Sequence, residues 1–157
     1  MAQDIEKKVN IEDLLEEGRT IQFTPIGTSM YPLFVTTKDQ AIVAPVSDAC
    51  KLKKRDVVLY RRENGPLVIH RIHRINKEGV WLVGDHQSVV EGPLSLDCIK
   101  GVMVAFIRKG REWSVKNPIY VIFNFLWMIM RPIRMKCIML GHYCKVLKQK
   151  LLHKNTK

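Results

Sequence analysis

The chain has 157 residues, 46% of them hydrophobic, which suffices for one domain with a sizeable core. Its formal net charge of +11 is unevenly placed: residues 1–107 hold 14 basic and 14 acidic side chains, whereas residues 108–157 hold 12 basic and 1 acidic. A neutral domain with a basic tail describes the chain better than a uniformly basic protein. The four cysteines show no C-x-x-C spacing, so we predict neither a metal site nor another cofactor.

The N-terminal residues predict a short helix within residues 1–19. Apolar residues between Ile5 and Leu15 recur at roughly helical spacing, Asn10 can cap a turn, and Gly18 ends the segment. Residues 1–18 lack the apolar stretch of a secretory signal peptide, so we expect none. The longest apolar run, residues 119–130, is shorter than the ~18–20 residues that a membrane-spanning helix requires.

Short runs rich in β-branched residues, separated by turn residues, predict a mainly β core over residues 20–116. The predicted strands cover residues 20–24, 40–46, 56–61, 67–75, 79–83, 99–108 and 111–115. Asn64 and Gly65 form a hairpin signal between two of these strands. Many short strands at this spacing favour an antiparallel barrel-like or sandwich core.

The pattern becomes helical in the tail, residues 117–157. From Leu126 to Leu151 apolar residues recur at alternating steps of four and three, with basic residues on another face and an expected break or kink at Pro132. A basic amphipathic helix with aromatic residues nearby is typical of an interfacial membrane anchor. We therefore expect contact with an anionic membrane surface; packing on its own domain or on a second copy is the alternative. Nucleic acid is not an expected partner, because no recognition motif accompanies the charge.

Two residues qualify as candidate catalytic groups. Ser29 lies in the segment Gly27–Pro32, which reads G-T-S-M-Y-P, between a glycine-bearing turn and a proline-fixed bend. His70 lies in the predicted strand over residues 67–75. An imidazole beside a serine hydroxyl can take its proton and activate the oxygen as a nucleophile. Backbone N–H groups around Ser29, in the stretch from Gly27 to Met30, are the candidates for an oxyanion hole.

Five segments, in their order along the chain, resemble the type I signal peptidases and the self-cleaving SOS and phage repressors. G-T-S-M-Y-P resembles their nucleophile box, and residues 51–60 resemble their x-x-G-D-x-V-x-Y strand, with Arg55 where glycine is usual. Residues 67–72 are similar to the block that carries the general base. Residues 83–86 resemble the K-G-D-N turn, and residues 99–104 resemble the closing V-x-G-x-V strand.

The resemblance implies a signal-peptidase/repressor-type coiled β-barrel-like core and a serine endopeptidase with Ser29 as the nucleophile. It implies His70 as the general base, as in the endoplasmic-reticulum type, where most bacterial relatives carry lysine. Two acids remain candidates for orienting His70: Asp85, in the shared G-D turn, and Glu91, where the endoplasmic-reticulum type carries its aspartate. We favour Asp85 narrowly. Signal peptidases often carry a hydroxyl residue two positions before the nucleophile. This chain has Gly27 there, and in this it resembles the repressors.

We therefore expect an enzyme that cleaves the leader or signal peptide of a secreted or modified peptide. Its tail would hold it peripherally, at the cytoplasmic face of a bacterial membrane, in place of an N-terminal anchor. One alternative is a catalytically inactive protein that binds peptides or assists their maturation at the membrane. Another is a self-cleaving regulator with a nucleic-acid-binding tail, although residues 1–28 contain no Ala-Gly or Cys-Gly self-cleavage pair.

Overall fold

The computed structural model describes residues 10–63, 65–137 and 140–141. By its internal contacts the chain divides into two compact units, Met1–Val121 and Ile122–Lys157. Residues 5–9 of the predicted N-terminal helix, Asn64 of the hairpin signal, and residues 138–139 and 142–157 of the predicted tail lie outside the described residues.

The predicted elements recur with small shifts of their ends. Helix α1 (Ile11–Glu16) begins after Asn10, whose side-chain oxygen accepts a hydrogen bond from the Glu12 N–H at 3.2 Å, as a helix cap does. The eight strands and the second helix are β1 (Ile21–Phe23), β2 (Asp39–Pro45), β3 (Val57–Arg61), β4 (Leu67–Asn76), β5 (Gly79–Val83), β6 (Glu91–Leu94), β7 (Ile99–Arg108), β8 (Arg111–Ser114) and α2 (Pro118–Ile129). Only β6 has no counterpart among the strands predicted from the sequence.

The strands form one antiparallel sheet in the order β1-β2-β7-β3-β4-β5-β6, with β8 paired to β7. This confirms the mainly β class. The expected barrel-like closure is not formed, because β1 and β6 end the strand order and do not pair with each other within the described residues. Both edges are poor partners for a further strand: β6 contains Pro93, which lacks an N–H donor, and β1 has only 3 residues.

The alternation of side chains along the strands divides the core between the two faces of the sheet. What we call the first core includes Met30, Val43, Leu59, Ile69 and Phe106. What we call the second core includes Val58, Tyr60, Ile72, Val80 and Leu82. Neighbouring residues of β3 and β4 therefore belong to different cores.

Part of β4 has a strand neighbour on one side only. It pairs with β3 over Leu67–Arg71, but its pairing with β5 begins at Arg71 and runs to Asn76. Within the described strand pairs, residues 67–70 thus form a short edge next to β3. The N–H and C=O groups of such an edge can pair with an added extended chain.

Helix α2 is more uniformly apolar than the amphipathic helix expected from the sequence. It carries no charged residue, and its exposed large side chains are Ile119, Val121, Ile122, Phe123, Phe125, Leu126 and Ile129. The basic residues begin at Arg131, in the helical stretch 131–137 that follows a turn at Met130. The break lies next to Pro132, as predicted, since proline cannot donate a backbone hydrogen bond to the preceding turn. Among the described helices, none combines the length and apolar character required to cross a membrane.

Gly101 provides a test of the sheet packing. A Cβ at this position of β7 would crowd Val43 Cγ1 and would lie 3.0 Å from the carbonyl oxygen of Ala44. We predict that Gly101→Ala lowers the free energy of unfolding by about 1–3 kcal/mol, because the packed core must shift to admit the methyl group. Gly141→Ala, in a helical position with nothing within 4 Å, is the control and should leave stability unchanged or raise it. Urea unfolding followed by circular dichroism compares the two; equal midpoints would contradict the packing.

Candidate active site

Ser29 lies half-buried in the loop between β1 and β2. Gly27 has a φ of +93°, a backbone conformation that glycine adopts without strain. The Tyr31 N–H then donates to the Thr28 carbonyl at 3.1 Å, and Met30 is buried in the first core. These features turn the chain tightly around Ser29 and fix the residue that follows it.

The guanidinium of Arg108, in the sheet, binds the rest of this loop. Arg108 of β7 donates to the carbonyl oxygens of Pro32 and Leu33 at 3.0 and 2.7 Å. The buried Asp39 accepts from Arg108 at 2.6 Å and from the Val35 N–H at 2.7 Å. Burial alone would raise the pKa of Asp39, but the hydrogen bond from Arg108 brings it below its ordinary value. The carboxylate therefore stays charged, and the loop is bound to β2 and β7.

The turn after β5 contacts the backbone of Ser29. The His86 N–H donates to the Ser29 carbonyl oxygen at 2.8 Å. A Cβ at Gly84 would lie 2.7 Å from the same oxygen, so only glycine fits there without displacement. The turn that contains Gly84 and Asp85 thus contacts the loop over residues 24–38 that carries Ser29, which we call the serine loop.

Ser29 also lines an open cleft of about 530 Å³. Residues 23–26, which include the end of β1, and residues 66–69, which include the unpaired edge of β4, supply most of the lining; Ile11 and Leu59 complete it. Apart from Ser29 and Thr24, the lining side chains are apolar. The cleft therefore brings together the unpaired edge of β4, an apolar surface and Ser29.

His70 follows the cleft residue Ile69 in β4, but its side chain lies on the face of the second core and is 1% exposed. Its Nδ1 is 3.1 Å from the hydroxyl oxygen of Tyr60, which donates to Glu91 Oε2 at 2.7 Å. Glu91 Oε1 lies 3.8 Å from the same Nδ1. Arg62 binds the same carboxylate, with Nε donating to Glu91 Oε2 at 2.9 Å and Nη2 donating to Oε1.

The protonation states of His70, Tyr60 and Glu91 follow from their burial and from the contacts just described. Burial lowers the pKa of His70 below its ordinary value; the charge of Glu91 opposes that shift and the charge of Arg62 adds to it. Burial alone would raise the pKa of Glu91, but hydrogen bonds from Arg62 and Tyr60 bring it below its ordinary value. Burial and the Glu91 hydrogen bond raise the pKa of Tyr60. At neutral pH, His70 is therefore neutral, Glu91 ionised and Tyr60 protonated.

Asp85 has a different partner. Arg71 donates from Nε and Nη2 to the two carboxylate oxygens of Asp85, each at 2.7 Å, and the two side chains are 0% and 1% exposed. Arg71 Nη1 also donates to the Arg55 carbonyl at 3.0 Å. The charge of Asp85 reaches His70 as well, but it acts more weakly there than that of Glu91. The acid favoured narrowly from the sequence thus forms a buried ion pair, and the other acid lies beside His70.

Within the described residues, Ser29 Oγ and His70 share no hydrogen bond.

The remaining predicted site residues, Gly27 and Met30, lie on either side of Ser29 in the serine loop. The backbone N–H groups of Ser29 and Met30 donate to no other described group. Gly27 is exposed, with nothing within 4 Å of the position of an added Cβ.

Sequence reasoning missed Tyr60 and Arg62. From the sequence, Tyr60 belongs to a predicted strand and ends the segment 51–60 that resembles the x-x-G-D-x-V-x-Y strand, and an aromatic residue at a buried strand position indicates packing rather than chemistry. A signal was nevertheless present, because the hydroxyl of a buried tyrosine requires a polar partner. Arg62 could not be placed from the sequence, since its partner Glu91 lies 29 positions further along the chain.

Comparisons with protein-family models, with curated proteins and with solved structures found no match. The part of the chain that the structure describes contains no group of three or more potential metal ligands. A functional proposal therefore rests on the loop that carries Ser29, the cleft, and the hydrogen-bonded residues His70, Tyr60 and Glu91.

The buried ion pair of Asp85 and Arg71 can be tested by its effect on stability. We predict that Asp85→Ala lowers the free energy of unfolding by about 3–5 kcal/mol, because it leaves the guanidinium of Arg71 buried without its counter-charge. The matched control is Glu12→Ala, which removes the carboxylate paired with the more exposed Arg61 and should cost no more than about 1 kcal/mol. Urea unfolding followed by tryptophan fluorescence measures both. Similar small losses in the two variants would argue against a buried ion pair.

Proposed function

We propose that this protein is a serine endopeptidase in which Ser29 is the nucleophile and His70 the general base. The observation that carries the proposal is the cleft that Ser29 shares with the unpaired edge of β4, immediately before His70. We further propose that the eight-stranded sheet is the core of a signal-peptidase/repressor-type fold. The support is the order of the five resembling segments and the contact between the G-D turn and the serine loop.

The proposed substrate is an extended peptide segment. Residues 67–70 of β4 offer backbone groups on the side that has no strand partner among the described pairs, and residues 23–26 line the same cleft. A peptide added to such an edge gains main-chain hydrogen bonds that are independent of its sequence. The apolar lining from residues such as Phe23 and Ile69 favours apolar side chains next to the scissile bond. A leader segment in extended conformation meets both conditions.

The proposed chemistry has two halves. Ser29 Oγ bonds to the scissile carbonyl carbon while its proton passes to His70 Nε2; that proton then goes to the leaving amine as the C–N bond breaks. In the second half, water attacks the acyl carbon and gives a proton to His70; as the ester C–O bond breaks, that proton passes to Ser29 Oγ and the carboxylic acid product leaves. The free N–H groups of Ser29 and Met30 are the proposed oxyanion donors. In the free protein the His70 side chain lies on the face of the second core, so the proposal requires the imidazole or the loop that carries Ser29 to move until Nε2 reaches Ser29 Oγ when a peptide is bound.

The missing Ser29–His70 hydrogen bond favours a second candidate function. If the two groups stay apart when a peptide is bound, the protein binds extended peptides without cleaving them and assists their maturation. The apolar cleft and the β4 edge serve this function equally well. Turnover distinguishes the two candidates.

We also propose that the C-terminal helical unit binds an anionic membrane surface from the cytoplasmic side. Its exposed apolar residues include Ile122, Phe125 and Leu126, and basic residues follow from Arg131 onward. No acidic residue occurs after Glu112. An apolar helix followed by cations fits the boundary between acyl chains and negatively charged headgroups. This placement would bring the enzyme to leader peptides at the membrane.

The nucleophile and the base are tested directly by substitution. We predict that Ser29→Ala and His70→Ala each reduce cleavage of an unstructured peptide library, measured by mass spectrometry, by about 10³-fold or more. Ser29→Ala should also abolish labelling of the protein by a fluorophosphonate. Ser47→Ala, at an exposed bend, is the control and should retain full activity. Undiminished cleavage by Ser29→Ala would refute the peptidase; peptide binding without turnover in the wild type would favour the second candidate.

The membrane proposal is tested by flotation of the full-length protein with vesicles. We predict binding to vesicles of phosphatidylcholine mixed with phosphatidylglycerol, and weaker binding to phosphatidylcholine alone. The double variant Ile122→Ser, Leu126→Ser should lose about tenfold or more of the bound fraction, because burying each apolar side chain contributes about 1.5–3 kcal/mol. Val89→Ser, another exposed apolar position at 70% exposure, serves as the control. Equal flotation of the double variant and the wild type would contradict the proposal.

A further inference from the structure

The hydroxyl of Tyr60 has two possible acceptors, Glu91 and His70, and only one proton to share between them; Arg62, which also forms a hydrogen bond with this hydroxyl, can only donate. It lies 2.7 Å from Glu91 Oε2 and 3.1 Å from His70 Nδ1. An ionised carboxylate can only accept hydrogen bonds, so the shorter contact requires the proton of Tyr60. If that proton pointed to His70 instead, the lone pairs of two oxygens would face each other at 2.7 Å.

The arrangement determines which nitrogen of His70 carries hydrogen. With its proton committed to Glu91, the oxygen of Tyr60 can only accept from Nδ1, so Nδ1 must be the protonated nitrogen. A neutral imidazole has one N–H, and Nε2 is then left with a free lone pair. Only that form has Nε2 ready to accept a proton.

We propose that Tyr60 is a positioning residue that, together with Glu91, holds His70 in the Nδ1–H tautomer and leaves Nε2 as the base. This inference rests on the proposed function, in which Nε2 takes the proton of Ser29. Tyr60 itself contacts neither the substrate nor the reacting atoms and acts through His70.

The same contacts stabilise the charged form of His70 during the reaction. When the Ser29 proton reaches Nε2, the imidazolium keeps its Nδ1–H bond to Tyr60, and Tyr60 keeps its O–H bond to Glu91. No second proton moves. Hydrogen bonds between charged and polar groups are strengthened in such a buried setting, so the positive charge is stabilised along the line from His70 to Glu91.

Four groups from different elements set the electrostatics at His70. Tyr60 comes from β3, Arg62 from the loop after it, Glu91 from β6, and Asp85 from the turn after β5. Arg62 binds the carboxylate of Glu91 through two nitrogens and so keeps one of its oxygens directed at Tyr60. Asp85 is held by Arg71 and adds a weaker negative potential.

The tautomer can be measured without any catalytic assay. Two-bond ¹H–¹⁵N correlation spectra of the full chain, labelled at its five histidines, distinguish a protonated from an unprotonated ring nitrogen. The His70 signals are assigned by their loss in His70→Gln. We expect the Nδ1–H tautomer in the wild type at neutral pH and a mixture or the Nε2–H form in Tyr60→Phe. Tyr120→Phe removes a buried phenol hydroxyl that contacts Arg71 and should leave the His70 tautomer unchanged.

Kinetics separate positioning from a merely structural role. In Tyr60→Phe we expect kcat to fall about tenfold or more with KM nearly unchanged, because the interaction is gained in the transition state. The acid limb of kcat/KM should also move to lower pH. The Tyr60 oxygen favours the imidazolium, so its removal disfavours protonation of His70.

The outcomes distinguish this inference from the proposed function. An Nε2–H tautomer in the wild type overturns the role of Tyr60, and this measurement requires no variant to fold. Cleavage by Tyr60→Phe with unchanged kcat and acid limb overturns it as well, while the peptidase assignment stands. Conversely, an Nδ1–H tautomer that Tyr60→Phe abolishes supports the positioning of His70 even if Ser29→Ala shows that the protein is not a serine peptidase.

Discussion

The alternation of side chains along β4 is the constraint on which the site depends. Ile69, His70 and Arg71 follow one another in this strand, and each has different surroundings: the apolar cleft, the Tyr60 hydroxyl and the carboxylate of Asp85. Because successive strand residues point to opposite faces, a shift of the β3–β4 register by one residue would exchange all three environments. The pairing of Val58 with His70 therefore fixes the chemistry as well as the sheet.

Two buried polar groups meet the same desolvation cost in different ways. Arg71 remains charged, because the carboxylate of Asp85 neutralises it within hydrogen-bonding distance and almost without exposure. His70 remains neutral, and its polar chain leads outward through Tyr60 to Glu91 and Arg62, where the side chains are 25% and 41% exposed. A full charge at His70 would have to be stabilised through a hydroxyl, whereas a full charge at Arg71 is matched directly. This difference gives Arg71 a structural character and leaves His70 able to change its protonation state.

The sequence predicted the elements that follow from local pattern and failed where distant residues decide. The strands over residues 79–83 and 99–108 have the predicted bounds because β-branched runs are bounded there by turn residues. Strand β6 is not predicted because it has only 4 residues and two of them, Gly92 and Pro93, are uncommon in strands, although such residues are tolerated at a sheet edge. The partner of Asp85 could not be deduced either. His70 and Arg71 are adjacent in β4, and which of them Asp85 binds depends on which face of β4 the turn meets.

The open end of the sheet and the position of the serine have a common cause. Strand β5 ends at Val83, opposite Arg71, so residues 67–70 of β4 continue without it. The chain leaves the sheet there through Gly84 and Asp85, and the His86 N–H reaches the carbonyl of Ser29. The turn that exposes the edge of β4 is therefore also the turn that contacts the serine loop. An insertion in residues 84–86 would move the loop that carries Ser29 relative to the unpaired edge of β4. The pairing of β4 with β3 and β5 would keep its register, and the second core would stay packed.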